Sequence, residues 1–347
     1  MKAKSYASKS PSSKLEFYEF ERREPNEHDV ELVVKYCGVC HSDIHTARGD
    51  WGEVEYPCVP GHEIVGIVTR VGADVKTFKQ GDRVGVGCMV NSCGECEPCK
   101  NNLENYCDND PTWTYSSTDR VDGTDTKGGY STIMVAPEKF VIAIPDSLDS
   151  AQAAPLLCAG ITMYSPLRHW DVKEGMLVGI LGLGGLGHMG VKYAKAMGAE
   201  VHVITSSPNK EKAAFEYGAD GVILSSDKAA VESVRRKFDI IIDTIPGKHD
   251  LGLYLDMLNV DGTMVQVGPI ATDLTFNALL QRRTSIAGSG IGSVSETKEM
   301  LQFSAEHGIV PDIEIIDISK INEAWDSMVA KQMSHRYVID IENSFKQ

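Results

Sequence analysis

Cys93, Cys96, Cys99 and Cys107 follow the pattern C-x2-C-x2-C-x7-C. Four thiolates on one loop, three of them at intervals of three, can close a tetrahedron around a single zinc ion. Gly94 and Pro98 favour the tight turns that bring the sulfurs together. Asn, Glu, Lys and Asp surround these cysteines, which argues against buried thiols acting as small hydrophobes. A closed four-sulfur site leaves no position for a substrate, so this zinc is structural.

A second set is dispersed: Cys40 in Gly-Val-Cys-His-Ser-Asp, His62 in Pro-Gly-His-Glu and Cys158 in Leu-Cys-Ala-Gly. Two thiolates and one imidazole would leave a zinc ion one open position, the catalytic arrangement. Separation along the chain does not say whether they meet in space. The pattern alone therefore leaves the trio open between metal ligands and ordinary core or surface residues.

The third signal is Gly182-Leu-Gly184-Gly185-Leu186-Gly187, directly after the apolar run Leu177-Val-Gly-Ile-Leu and opening a helical stretch. In that context the glycines read as a dinucleotide-binding turn. The first makes the bend, the second admits a diphosphate to the backbone, and the last lets helix and strand pack closely. An NAD-binding unit places an acid about 20 residues further on, to hold the ribose 2′-hydroxyl. Here Val201-His-Val-Ile runs into Thr205-Ser206-Ser207-Pro-Asn-Lys210 with no acid, and Glu200 begins the strand, at its opposite edge. Hydroxyls and a lysine suit a 2′-phosphate, which favours NADP(H) over NAD(H). The other reading has the hydroxyls cap the following helix, and one site can do both.

The elements that must carry these groups fall into two textures. From Glu31 to about Val141 short β-like runs alternate with glycine and proline, among them Val30–Tyr36, Ile64–Val71 and Gly81–Val86, as in a compact β-barrel. From Met176 strands alternate with helices. Strand runs are expected at Leu177, Val201, Gly221, Phe238, Gly262 and Ser285, with helices over Leu186–Met197 and Lys210–Tyr217, and crossovers of that kind imply a doubly wound parallel sheet. The last fifty or so residues read as a helix over Ser295–Glu306, a strand at Ile313, another helix and a strand at Tyr337.

Composition bounds the rest. The chain has 347 residues, a length that implies about two domains. Its 34 basic and 49 acidic residues give a net charge of −15, which repels phosphate backbones and anionic lipid, so neither a nucleic acid nor a membrane is expected as a partner. The apolar stretch from Met176 to Ala194 is interrupted by glycines, His188 and Lys192, which suits a turn better than a bilayer span. The N-terminus lacks an apolar signal core, and nine cysteines, an odd number, fit metal ligation in a reducing cytoplasm better than disulfides.

Taken together, Cys37-Gly-Val-Cys-His-Ser-Asp-Ile-His, Pro60-Gly-His-Glu-Ile-Val-Gly, the four-cysteine loop, Pro155-Leu-Leu-Cys-Ala-Gly-Ile-Thr and the glycine motif resemble the zinc-dependent medium-chain alcohol dehydrogenases. The nearest branch is the cinnamyl-alcohol-dehydrogenase-like one, with its microbial NADPH-dependent aldehyde reductases. The resemblance implies a GroES-like β-barrel catalytic domain over residues 1–157, a Rossmann domain over 158–295, and a return to the catalytic domain over 296–347. It implies two zinc ions per chain, one structural and one catalytic on Cys40, His62 and Cys158. Glu63 matches a glutamate that approaches the metal during ligand exchange, and Asp43 a carboxylate that orients the ligand histidine. Ser42 and His45 match a proton relay.

For the cofactor, the resemblance points to His41, Thr162, Gly182, Gly184, Gly185, Leu186, Gly187, Val267 and Ser289, with Ser206, Ser207 and Lys210 at the 2′-phosphate. Trp51, Trp113 and Ile291, with Met89, match pocket-lining positions that favour flat apolar aldehydes. The implied reaction is hydride transfer between NADPH and a zinc-polarised aldehyde or the corresponding alcohol, in a homodimer. Two alternatives are a polyol or mannitol-type dehydrogenase, which would need a more polar pocket, and a non-catalytic nucleotide-binding relative, which would have no need of Ser42, His45 and three metal ligands.

Overall fold

A computed structural model describes residues 1–268, 277–330 and 335–346. These divide into two compact units: residues 1–158 with 293–347, and residues 159–292.

The first unit is built on the strand Asp29–Gly38, whose alternating branched residues Val30, Leu32 and Val34 are fully buried. It pairs antiparallel with Ile64–Val71, with Ile133–Pro137 and with the C-terminal strand Arg336–Asp340, so chain segments from both ends of the sequence share one sheet. Ile64–Val71 pairs onward with Arg83–Val86, and that strand with Val141–Ala143. Gly66 sits where Ile64–Val71 crosses its neighbour. A Cβ there would lie 2.3 Å from the Val33 carbonyl oxygen, so the close approach of the two backbones requires glycine. Helix α1, His41–Arg48, leaves the end of this central strand and is stopped by Gly49 in the left-handed conformation (φ 73°).

The second unit is a parallel sheet of β1 (Leu177–Leu181), β2 (Glu200–Thr205), β3 (Gly221–Leu224), β4 (Phe238–Asp243), β5 (Leu258–Gln266) and β6 (Ser285–Gly288). Its spatial order is β3-β2-β1-β4-β5-β6. Val178, Ile180, Val203, Ile204, Ile241 and Ile242 are completely buried, as expected for strands covered on both faces. The strand order reverses between β1 and β4, and in such sheets the crevice beyond the carboxyl ends at that point receives ligands. Helix α2, Gly187–Ala196, follows β1. Three N-terminal and central segments escaped the periodicity reading: the hairpin of Lys2–Ala7 with Glu16–Glu21, and the helices Ser150–Pro155 and Ile161–His169 joined through a π-helical turn.

Replacing Gly66 by alanine is expected to cost about 1–3 kcal/mol by overpacking against backbone that cannot yield. Thermal unfolding of Gly66→Ala beside the parent protein measures it.

Candidate active site

The four cysteines of the loop do converge, each offering a sulfur within 4.8 Å of the others. Cys93 and Cys99 sulfurs lie 3.9 Å apart, as do those of Cys96 and Cys107. That is far beyond a disulfide bond and close to the ~3.8 Å edge of a tetrahedron with zinc–sulfur bonds of about 2.3 Å. Backbone N–H groups of Cys96, Cys93 and Asp108 point at the sulfurs of Cys93, Cys107 and Cys96. Such donors favour thiolates, and a hydrogen bond from Asn109 with the N–H groups of Glu95 and Cys96 brings Cys93 down to about 6. The donor set and spacing fit zinc.

Cys40, His62 and Cys158 also come together, with Glu63 as a fourth member, all buried and with donor atoms within 4.8 Å of one another. Three local devices place them. Cys40 is the N-cap of α1, and Asp43 three residues on returns a hydrogen bond to its N–H (2.9 Å), a capping box in which the cap is a metal-ligand type. His62 and Glu63 follow Gly61, whose φ of 105° only glycine adopts readily and whose Cβ would strike Tyr130. Cys158 lies on the π-helical turn Leu156–Gly160 after Pro155, which lacks an N–H and interrupts the regular ladder.

Asp43 ties the set together. Its carboxylate is fully buried and accepts four hydrogen bonds, from Cys40 N (2.9 Å), Gly61 N (3.1 Å), Tyr130 Oη (3.0 Å) and His62 Nδ1 (3.0 Å). With Nδ1 so engaged, Nε2 is the nitrogen left for a metal. Burial alone would lower the pKa of His62, but Asp43 and the neighbouring thiols carry it well above the ordinary imidazole value. The Cys158 thiol donates to Cys40, which holds Cys40 well below the usual range and Cys158 well above it. A divalent cation would displace that proton and neutralise both sulfurs. Burial pushes Glu63 up to about 7 against the pull of Arg336, whose guanidinium contacts one carboxylate oxygen. The other oxygen, Oε2, is buried and unpartnered. Gly38 makes room for it, since a Cβ there would lie 1.9 Å away.

Around this cluster, Ser42 Oγ lies 3.5 Å from Cys40 Sγ. His45 Nδ1 is 2.8 Å from Asp50 Oδ2, and its ring stacks on Trp51 at 5.1 Å. His41 is exposed on the first turn of α1, 6.5 Å from the His45 ring. Trp51 and Trp113 are 51% and 41% exposed, so neither indole is core packing. Trp113 pairs across a short ribbon with buried Met89, and Tyr115 two residues on lies 5.8 Å from the His62 ring.

Within the other unit, the glycines divide by cause. Gly182 has φ 92°, and a Cβ on Gly187 would lie 2.1 Å from the Gly182 carbonyl, so the protein itself demands both. A Cβ on Gly184 would meet no protein atom. Its bareness leaves a cradle against the backbone at the start of α2, whose first turn has neither a side-chain cap nor an acid. A diphosphate fits there. Gly185 and Leu186 complete the turn into the helix. Beyond β2, Ser207 makes no capping bond, and its N–H goes to Thr205 Oγ1 instead. Glu200 is engaged with His202 at the far end of the strand. Val267 N bonds Asp243 O, and Ser289 N bonds Gln266 O, both just past the strand ends. Thr162 is buried on Ile161–His169. Ile291 has φ 48°, an uncommon and costly backbone for a β-branched residue.

Arg336, Tyr130, Asp50 and Cys88 carry site contacts that the sequence reading did not single out. Cys88 accepts from the Cys158 thiol and so raises it, while its own thiol points at the Leu157 carbonyl. No motif marks these residues, although Asp50 lies within one turn's reach of His45 and an acid at that distance was a signal to test.

A barrel with one closed thiolate site and one open-sided Cys/His cluster, and a doubly wound sheet with a phosphate-ready glycine turn, define a zinc- and dinucleotide-binding oxidoreductase. Comparison with known proteins agrees. Residues 26–146 match the alcohol dehydrogenase GroES-like domain and residues 185–306 the zinc-binding dehydrogenase domain. The chain is 48% identical over 340 residues to NADP-dependent alcohol dehydrogenase C of Mycobacterium tuberculosis, covering 97% of each. It is 49% identical over 349 residues to a probable mannitol dehydrogenase of Fragaria ananassa, covering 99% of this chain and 97% of that protein. Among solved structures, a cinnamyl alcohol dehydrogenase of Sorghum bicolor superposes with a TM-score of 0.97 at 41% identity, over 100% of this chain and 99% of that one. The chain belongs to the zinc-dependent medium-chain alcohol dehydrogenases, on their cinnamyl-alcohol-dehydrogenase-like branch.

Asp43→Asn is expected to weaken zinc at the Cys40–His62–Cys158 cluster by about 10–100-fold, because the ligand imidazole loses its anchor, and to spare the four-cysteine site. Elemental analysis during chelator titration should show the parent losing its two zincs together or late, and the variant losing one early.

Proposed function

We propose that this protein is an NADP(H)-dependent alcohol dehydrogenase working as an aldehyde reductase, with residues 1–158 and 293–347 as catalytic domain and 159–292 as cofactor domain. The observation that carries the reading is the buried donor set of two sulfurs and one imidazole, with His62 held by Asp43 so that Nε2 is the free nitrogen. When bound there, zinc supplies a Lewis acid for a carbonyl oxygen, and NADPH supplies the hydride.

The chain's own groups do the rest. Ser42, 3.5 Å from the Cys40 sulfur, is placed to hand a proton to the oxygen of the reduced substrate. His45 passes protons on to solvent, and Asp50 fixes its ring through Nδ1. Glu63 keeps one buried carboxylate oxygen free toward the cluster for the moment of ligand exchange. Ser206, Ser207 and Lys210 make no ion pair or side-chain hydrogen bond among the described residues, which leaves two hydroxyls and a cation for a 2′-phosphate. Gly184 gives the diphosphate its approach.

Trp51 beside His45, and Trp113 with Met89, favour flat apolar aldehydes of the benzaldehyde or cinnamaldehyde kind. The relative named a probable mannitol dehydrogenase keeps a polyol reading in play, and two exposed indoles weigh against it. β6 ends the sheet with an unpaired edge among the described residues, which supports pairing with a second copy in a homodimer. Nine free thiols support a cytoplasmic location, and no helix among the described residues is long and apolar enough to cross a membrane.

Lys210→Ala should raise KM for NADPH by about tenfold or more, the worth of one charge-assisted phosphate contact, and leave KM for NADH nearly unchanged. Steady-state assays with both cofactors decide it, and equal effects on the two would remove the 2′-phosphate from this site. His45→Ala should lower turnover and reshape its pH profile, and an unaltered profile would leave the relay without support. The same assays over aromatic, aliphatic and sugar aldehydes separate the aldehyde and polyol readings.

A further inference from the structure

The unit formed by residues 1–158 and 293–347 holds a cavity of about 350 Å³ that shares no residue with the metal clusters or with Ser42, His45 and Glu63. Its walls are the loop bearing Ser12 and Lys14, the last turn of α1 with Arg48, and helix α3, Ile321–Val329, which contributes Asn322, Trp325 and Asp326.

The walls are fixed before anything binds. Asn322 clamps the loop from across the cavity, its Oδ1 accepting from Leu15 N and its Nδ2 donating to Leu15 O, both at 2.9 Å. The loop is also folded on itself, with Ser13 Oγ accepting from Lys9 N (2.8 Å) and Ser10 N (3.1 Å). Trp325 is buried and gives the cavity an apolar surface.

The charges are the telling feature. Neither Lys14 nor Arg48 makes a side-chain ion pair or hydrogen bond among the described residues. The Ser12 hydroxyl and the Asp326 carboxylate are likewise unengaged. The last turn of α1 lines the cavity through Ala47 and Arg48, and three carbonyls of that turn are taken: His45 O by Asp50 N, Thr46 O by Gly49 N and Ala47 O by Tyr56 Oη. Two unpaired cations lining one cavity, one from the loop and one from the last turn of α1, suit a doubly charged anion, with arginine offering a fork and lysine a point charge. An acid and a hydroxyl in the same space suit donors on the rest of the ligand. The volume equals about a dozen waters, which limits the ligand to a small one.

We propose that this cavity binds a small hydroxylated phosphate ester, with Lys14 and Arg48 on the phosphate and Asp326 and Ser12 on the hydroxyls. Such a ligand joins the last turn of α1, whose first turn carries Ser42 and Asp43, to α3. Its binding therefore stabilises the folded chain, by an amount that grows with the logarithm of its concentration once above Kd.

The test is calorimetric titration of the zinc-loaded full chain with glycerol 3-phosphate, in saturating NADP+ so that the cofactor's own phosphate positions are filled. One saturable site per chain is expected, with a matching rise in thermal midpoint. Lys14→Gln and Arg48→Gln should each weaken it about tenfold, the loss of one charge-assisted contact. Asp326→Asn should weaken glycerol 3-phosphate while leaving inorganic phosphate equal or tighter. Both lysine and arginine variants replace exposed residues, and an unchanged melting curve without ligand verifies their fold. Absence of saturable binding, or binding indifferent to both cation variants, overturns the site. Glycerate binding as tightly as glycerol 3-phosphate overturns the phosphate assignment, and an Asp326→Asn variant that tightens both ligands overturns the role of the hydroxyls.

Discussion

The buried carboxylate of Asp43 is the constraint on which the metal cluster depends. A charge removed from water is tolerated only where donors replace its hydration. Here four donors do so, and they come from the α1 cap, the Gly61 turn, the ligand imidazole and Tyr130. Each donor is thereby fixed relative to the others. The same bonds that satisfy the carboxylate set the Cys40 backbone, choose the ring nitrogen of His62 and define the distance between two ligand segments. A residue that is a plain capping acid in its local sequence becomes the reference point of the site.

The electrostatics of that cluster make sense only with a cation in view. Two thiols, an imidazole and a glutamate lie within contact of one another out of water, and the Arg336 guanidinium faces them through Glu63. The outcome is a set of opposed shifts: one thiol driven down and its neighbour up, and a carboxyl raised to about 7. Groups held that far from their ordinary values are characteristic of sites built for metal and proton chemistry. The four-cysteine loop solves a similar problem differently, with backbone N–H groups aimed at the sulfurs of Cys93, Cys96 and Cys107.

In the cofactor unit, empty space carries as much information as contacts. Gly182 and Gly187 are explained by φ and by backbone crowding inside the protein. Gly184 is not, because a side chain there would touch nothing. A glycine unexplained by the protein's own packing marks where another molecule approaches. The same logic applies to Ser206, Ser207 and Lys210, whose side chains at a strand end make no ion pair or hydrogen bond among the described residues, and it separates them from Glu200, already paired at the other edge.

The amino-acid sequence by itself determined whatever depends on neighbours along the chain. The four sulfurs sit on one short loop, so their spacing dictates convergence, and a glycine turn between an apolar run and a helix fixes its own geometry. Strand and helix alternation from Met176 onward was legible for the same reason, because burial on a sheet or helix face repeats at a fixed period. The Lys2–Ala7 hairpin and the helix interrupted at Pro155 were not, since the first is a mostly polar edge and the second is broken by a π-helical turn. Only tertiary structure decided that Cys40, His62 and Cys158 meet, that Arg336 reaches Glu63 across 273 positions of chain, and that Tyr130 completes the shell of Asp43. Those contacts are made by sheet pairing and packing between distant segments, and no local spacing encodes the register in which distant strands align.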